Sequence, residues 1–483
     1  MEEVTKENVI ALLSKKGINT SKVSNELIQD FIINYSVSED LETILKAQQL
    51  IMEKWQINSS IIDFKNLNIK MPNSNFGIEY CYLFEDDFLK KNKLENFSVD
   101  GLEELGLEFN QDTLSIKGIP LKSGEFEIKI LFKVIGDNDT KKEENKLINF
   151  IVNPDPKSLW KNLPSDKEAI FWKEDNHHTF GKLGKKSIVT SSKRGRSHQN
   201  VGSFRDDHDA HKFFEKTGWS IVTVSDGAGS APFSREGSKI ACNSVIEYFE
   251  SHLPHKELIS FENEVDHFSE TNDEKRWKLA KTKAIQSTYK AITFAHNNIH
   301  TKADDLLKVS PELFNQKKYK YPAEYFHATL IVTLFKKFEM GYVILTFSVG
   351  DCPIGMVNKE KTEAKLLNWL DVGEFGGGTR FLTQPEIFHS EKMGSRFSIQ
   401  IEPDFSFLFL MSDGIYDPKF EVEANLEKTE KWLEFISDLE GNNEDKTKID
   451  FEENTEKTAE SLSKWMDFWS KGNHDDRTLS IIY

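Results

Sequence analysis

The sequence predicts an α+β protein: a helical segment over 1–57, a small β-sandwich over 58–155, a polar linker over 156–179, and a larger domain over 180–483 mixing strands and helices. Three observations predict it. Apolar residues recur at three-and-four spacing up to about residue 55, then switch to the period of two that strands need. Turn residues cut the second stretch into short strands. Beyond residue 180, apolar runs at 219–225, 328–335, 342–349, 405–411 and 479–483 read as buried strands, with helical runs at 238–253, 274–298 and 428–439 among them.

In the first segment the pairs Ile10/Leu13, Leu27/Phe31 and Leu41/Leu45 carry the helical spacing, and Ser36 ahead of an acidic turn predicts a capped helix start. Such helices suit packing or docking and show no chemistry. In the second segment, 106–134 reads as strand, turn, strand, a Gly118-Ile119-Pro120 turn, and an alternating strand over 125–134, a spacing that fits a β-sandwich. The Gly-x-Pro step before a Gly-led strand resembles the Ig-like modules of bacterial multidomain proteins, which implies binding or spacing. A charged hairpin loop is expected over 137–145, and surface insertions over 299–325 and 438–458.

The net charge of −17 gives no support to a nucleic-acid partner, since phosphate binding wants a basic surface. Cys81, Cys242 and Cys352 are far apart, which argues for a reducing compartment, and Cys352 reads as a small packing residue. The acidic start Met1-Glu2-Glu3 lacks the pattern of a signal peptide, and no apolar run approaches membrane-spanning length. The expectation is a cytoplasmic protein with no membrane partner.

Four aspartates stand at strand ends: Asp226-Gly227 after 219–225, Gly350-Asp351 after 342–349, Ser412-Asp413-Gly414 after 405–411, and Asp475-Asp476 before 479–483. Any one Asp-Gly is ordinary turn chemistry. Four such ends, with Asp206-Asp207-His208-Asp209 upstream, can gather anionic oxygens into one cleft, where repulsion calls for cations. Hard oxygen ligands suit Mg²⁺ or Mn²⁺ better than zinc, so the pattern points to a multi-metal hydrolytic site. His177 and His178 read as solvated linker residues.

The pieces also have a familiar order. Arg194-Gly195-Arg196-Ser197-His198 leads to Gly202-Ser203-Phe204-Arg205-Asp206-Asp207, then Ser225-Asp226-Gly227-Ala228-Gly229-Ser230, Ala328-Thr329 and Ser348-Val349-Gly350-Asp351. Gly378-Thr379-Arg380-Phe381-Leu382-Thr383, Ser412-Asp413-Gly414-Ile415-Tyr416-Asp417 and Asp475-Asp476-Arg477-Thr478-Leu479 follow. Over about 300 residues this set resembles the metal-dependent protein phosphatase 2C family, in particular its bacterial branch.

The resemblance implies an α/β/β/α sandwich of two packed antiparallel sheets flanked by helices. It implies that Asp226 bridges two Mg²⁺ or Mn²⁺ ions with the Gly227 carbonyl beside it. Asp413 and Asp475 would bind the same metal, Asp207 with Asp206 would hold the other, and Asp351 with Asp413 would share a looser third. Metal-activated water would then hydrolyse a phosphomonoester on a phosphorylated Ser or Thr of a protein, in signalling opposite a cognate kinase.

The sequence departs from the family pattern twice. Many members carry His two residues after the bridging aspartate, where Ala228 stands here, so His198 is the substitute for the leaving-group acid, with metal-bound water as its rival. The phosphate-binding arginine is the second: Arg194, Arg196 and Arg205 compete, and Arg196 is favoured for bidentate phosphate binding. The acidic register is open between Asp207 and Asp209, and Asp417 reads as a turn or helix-start residue. The expected function is a metal-dependent Ser/Thr protein phosphatase; the alternatives are a catalytically weak phosphatase-like adaptor or a hydrolase of small phosphates.

Overall fold

A computed structural model describes residues 2–137, 143–251, 255–371, 378–389, 391–470 and 472–483. The chain divides into two compact units, Met1–Leu159 and Trp160–Tyr483. Residues 138–142 of the expected charged loop lie outside the described residues.

The first unit opens with helices α1 (Glu2–Lys15), α2 (Asn25–Asn34) and α3 (Val37–Asn66), joined by a small core of Val9, Ile28, Ile32 and Leu41. Ser36 does stand at the start of α3, but in the left-handed conformation (φ 50°) and with no capping hydrogen bond from its side chain. Two sheets follow. One has the order β1-β7-β6-β3, with β1 (Ser74–Asn75) parallel to β7 (Glu144–Asn153), and β6 (Gly124–Val134) between β7 and β3 (Leu94–Asp100). The other is β2 (Tyr80–Leu83), β5 (Ser115–Gly118) and β4 (Leu107–Asn110). Residues from both, among them Phe97, Ile128, Phe132, Tyr80 and Ile116, share one core with Phe64 of α3. Alternate residues of β6 are buried, as the period of two requires.

The second unit is a four-layer sandwich. Sheet I runs β10 (His208–Phe214), β11 (Trp219–Ser225), β12 (Leu330–Phe338), β13 (Gly341–Val349) and β16 (Phe397–Glu402), each pair antiparallel. Sheet II runs β15 (Ala364–Leu366), β14 (Ile354–Asn358), β17 (Phe405–Met411), β18 (Arg477–Ile482), β9 (Lys186–Lys193) and β8 (Asn176–Leu183), also antiparallel throughout. Alternation along the strands sorts the layers. Val222, Val224 and Ile344 of sheet I meet Leu408, Leu410 and Ile482 of sheet II in the central core. Their neighbours Ile221 and Leu345 face outward onto α6 (Ser234–Ser251), α7 (His255–Thr271) and α8 (Glu274–Val309). On the other side Phe409, Leu479 and Ile481 face Trp432 and Phe435 of α11 (Thr429–Leu439) and Leu462 and Trp465 of α12 (Glu456–Trp465).

Two expectations need correction here. The stretch 156–179 is not a bare linker: residues 160–175 pack on the second unit, and His177 and His178 are exposed residues of β8, paired with Ser192 and Ser191. The insertion expected at 299–325 begins as helix, because α8 continues to Val309. Among the described residues no helix is long and apolar enough to cross a membrane.

The outer layer behind sheet II depends on one close approach. A Cβ on Gly355 of β14 would lie 2.0 Å from Cη2 of the fully buried Trp432. Gly355→Ala should therefore lower the thermal midpoint, since overpacking of this kind costs ~1–3 kcal/mol. A smaller side chain at Trp432 should recover part of that loss in the double variant.

Candidate active site

The sheet edges bring five acidic strand ends together. In sheet I, β10 and β11 pair His208 with Ser225, so Asp207 and Asp226 emerge side by side. In sheet II, β17 and β18 pair Met411 with Leu479, which brings Asp413 and Asp475 to the same end. Asp351 follows β13, and an oxygen of it lies within 4.8 Å of an Asp226 oxygen and of Cys352 Sγ. Cys352 is fully buried, with Thr329 Oγ1 3.4 Å from its sulfur, as expected of a packing residue.

Short polar side chains hold these ends in register. Thr329 Oγ1 accepts from the Asp226 N–H (2.8 Å), while its own N–H donates to the Asp226 carbonyl (2.8 Å). Gly227 bridges to Ala328, and a Cβ on it would come within 2.6 Å of the Asp206 carbonyl oxygen. Thr478 Oγ1 donates to Asp207 Oδ2 (2.7 Å), and Thr379 Oγ1 donates to Asp351 Oδ2 (2.6 Å). Asp413 opens the helix α10 (Asp413–Phe420), whose free N–H groups favour an anion.

Burial pushes the Asp226 and Asp413 carboxyls well above the ordinary range; Asp413 and Asp207 add repulsion on Asp226, and Asp351 and Asp475 on Asp413. Burial and then Asp476 raise Asp207 to about 7. Asp351 and Asp475 are raised as well, chiefly by burial. Asp207 Oδ1 and Asp413 Oδ1 are buried with no hydrogen-bond partner. Acceptor-only oxygens orphaned in this way, on carboxyls that resist ionisation in company, are a donor set that fits divalent cations.

Asp476 has a different part, which the sequence left unassigned. Its Oδ1 accepts from the Gly195 N–H (2.6 Å) and lies 3.0 Å from His198 Nδ1; its Oδ2 accepts from the Asp206 N–H. Burial would raise Asp476, but these partners, His198 foremost, hold it below the ordinary value. His198, near the start of α5 (Arg196–Val201), is 13 % exposed at its side chain, with Nε2 3.9 Å from Asp206 Oδ2. Burial alone would lower the imidazole; Asp476, Asp206 and Asp475 outweigh it and lift it to about 10. Asp206 thus faces His198, and its carboxyl stands at about 7 through burial and the charge of Asp476. Asp209 lies inside β10, accepting from Thr190 Oγ1 (2.9 Å), so Asp207 is the acidic residue of this stretch that faces Asp226 and Asp413. Asp417, read as a turn or helix-start residue, instead lies in the middle of α10 and accepts from Asn473 Nδ2.

The three arginines are all engaged elsewhere. Arg194 donates to Ser203 O, Asn162 Oδ1 and Leu163 O and pairs with Asp175. Arg205 donates to Glu174 O, Ser192 Oγ and Asp207 O. Arg196 donates to Asp467 O and stacks over Trp469, 5.3 Å from the ring centre. Lys173 was missed altogether: its ammonium sits against the carbonyls of Asp206 and Asp207, and burial, then Arg205, lowers it to about 7.

The protein phosphatase 2C family profile matches residues 194–467, more than half of the chain. The chain belongs to the protein phosphatase 2C family. The match opens at Arg194 and ends before Asp475, so both Lys173 and the Asp475-Asp476 pair lie outside it. No curated protein matches. Among solved structures, the serine/threonine phosphatase Stp1 from Staphylococcus aureus is 15 % identical, covering 64 % of this chain and 98 % of its own, with a TM-score of 0.33. A bacterial serine phosphatase is 15 % identical over 61 % of this chain and 96 % of its own, TM-score 0.31. RsbX, solved in complex with magnesium, is 12 % identical over 63 % and 98 %, TM-score 0.33.

The phosphatase 2C carboxylates make the metal-free chain sensitive to pH. Asp206 and Asp207 stand at about 7 in the fold, above the unfolded value of 3.8. The folded state therefore holds protons that the unfolded state has released, and their stabilisation is lost as pH rises toward and through 7. In EDTA the thermal midpoint should fall between pH 5 and 8 on this account. Asp226→Asn or Asp413→Asn should raise it at pH 8, by roughly 2–4 °C per kcal/mol of repulsion relieved. A lower midpoint in both variants would rule out the strained-cluster account.

Proposed function

We propose that the protein is a Mg²⁺- or Mn²⁺-dependent phosphatase acting on phosphorylated Ser or Thr in proteins. The observation that carries this reading is the set of buried Asp207 and half-buried Asp226 and Asp413, with two orphaned buried oxygens, at the paired strand ends of a phosphatase 2C domain. Asp226 would bridge two ions beside the Gly227 carbonyl, Asp413 and Asp475 would hold one, and Asp207, with Asp206 next to it, the other. Asp351 with Asp413 would serve a third place. Such ions supply a water acidic enough to attack phosphorus near neutrality and positive charge for the phosphoryl oxygens.

The chain's own part is to hold and move a proton. Asp476 fixes the His198 ring through Nδ1 and leaves Nε2 toward the carboxylates. We assign Nε2 the delivery of a proton to the departing Ser or Thr oxygen, the task that Ala228 cannot perform. Cations on the neighbouring carboxylates would cancel the field that lifts His198, bringing it toward the range where a general acid works. Arg196 is proposed to contact phosphate, which requires its guanidinium to leave the Asp467 carbonyl. The first unit is proposed as a docking or spacing element, and a kinase acting on the same substrate as the opposing partner.

Ala228 gives the adaptor reading its one supporting observation. Hydrolysis of an aryl phosphate and of a phosphothreonine peptide, with Mn²⁺, Mg²⁺ or EDTA, separates the readings. The expected result is metal-dependent turnover on both, abolished in Asp226→Asn. No turnover from a folded chain that binds metal would establish the adaptor, and turnover confined to small phosphates would exclude a protein substrate. His198→Ala should slow phosphoserine hydrolysis much more than aryl phosphate hydrolysis, whose leaving group needs no proton, within the 10²–10⁴-fold range of general acids. Equal losses would remove His198 from that role.

A further inference from the structure

The segment 160–175 runs into the second unit ahead of the family match, and its side chains and carbonyls are tied to buried arginines and to the acidic loop. Asn162 and Leu163 accept from Arg194, Ile170 and Phe171 accept from Arg235, and Glu174 accepts from Arg205. Ser165 closes the segment on itself: its Oγ donates to Asp175 Oδ1 (2.9 Å) and accepts from Trp172 Nε1 (3.2 Å). The segment is thus a strap with both ends and its middle anchored.

Lys173 is the one lysine it sends inward. An ammonium has three N–H donors and no acceptor. Lys173 Nζ has three carbonyl oxygens in reach: Asp207 at 2.5 Å, Asp206 at 3.4 Å and Arg235 at 3.4 Å. Arg205 Nη1 takes a second lone pair of the Asp207 carbonyl at 3.0 Å, and Ser238 Oγ takes one of the Asp206 carbonyl. The two peptides that flank Asp207 are therefore both held through their carbonyls by Lys173, with Arg205 on one and Ser238 on the other. Rotation of either peptide would swing the Asp207 carboxyl off Thr478 and away from Asp226.

We propose that Lys173 is a positioning residue of the metal site: through the strap it fixes the two peptides flanking Asp207 so that the Asp207 carboxylate is preorganised for a divalent cation. This rests on the metallophosphatase reading above. Groups that orient metal ligands from behind typically set affinity by 10–100-fold. Removing the ammonium should act on metal affinity first and on turnover through it.

The test is Mn²⁺ uptake by the full chain, read from the electron paramagnetic resonance signal of free Mn²⁺, for wild type, Asp226→Asn, Lys173→Met and Ser165→Ala. Thermal midpoints in EDTA are measured alongside. Wild type should bind Mn²⁺ and Asp226→Asn should lose it; a wild type that takes up no Mn²⁺ overturns the metallophosphatase reading together with this one. Lys173→Met should keep a folded midpoint in EDTA yet bind Mn²⁺ ~10-fold more weakly, with kcat restored by raising Mn²⁺. Wild-type affinity in a folded Lys173→Met overturns the positioning role alone. If the Met variant does not fold, Ser165→Ala decides: it loosens the strap without touching the loop, a several-fold loss of affinity supports the proposal, and none overturns it.

Discussion

The mutual repulsion of carboxylates gathered in a half-buried cleft is the constraint on which the rest of this unit depends. Asp207, Asp226, Asp351, Asp413 and Asp475 come from both sheets, and each is raised by burial before its neighbours add to it. No single element could bring them together. Two antiparallel sheets packed through a common apolar core can, because each contributes strand ends at the same edge. The central core of Val222, Ile344, Leu408 and Ile482 is therefore part of the site's construction: it supplies the burial energy that holds like charges in place.

Within the cluster, adjacent residues divide the work. Asp475 and Asp476 are neighbours in sequence, yet Asp475 is raised and Asp476 lowered. The difference is partners. Asp476 accepts from two backbone N–H groups and the His198 ring, so its charge is spent on joining α5, the Asp206 loop and β18. Asp206 and Asp207 divide similarly, one toward His198 and the other toward Asp226. A doublet lets one carboxylate stay available while the next one anchors it, since alternate residues at a strand end point to opposite sides.

Much of this was legible in sequence. Strands β11 and β17 fall where the apolar runs place them, and the aspartates follow them as read. These features are local, and local pattern reports them well. The functions of Asp476, Lys173 and Thr478 were not legible, because each depends on partners far away along the chain: His198 for Asp476, Asp207 for the other two. Residues 160–175 read as linker because they form neither strand nor helix; their order comes from arginines that donate to their carbonyls. Arg194 and Arg205 stood as phosphate candidates for the same reason. Their types suit phosphate, but a buried backbone carbonyl also needs a donor, and Arg194 and Arg205 are spent there.

That expenditure bears on how a phosphate could enter. Arg194 and Arg205 are almost wholly buried and bonded to the protein, and Arg235 is used on three backbone carbonyls. The carboxyls of Asp207, Asp226, Asp351, Asp413 and Asp475 gather here, with His198 already paired to Asp476. A phosphomonoester dianion approaching this surface would meet net negative charge, and the cost of placing like charges together in a partly dry cleft is several kcal/mol, on the order of that for any buried unpaired ion. On the proposed reading, divalent cations are then needed for binding as much as for chemistry. Removing them turns the cleft from a phosphate site into a phosphate barrier, so affinity for the dianion and occupancy by metal become one linked equilibrium.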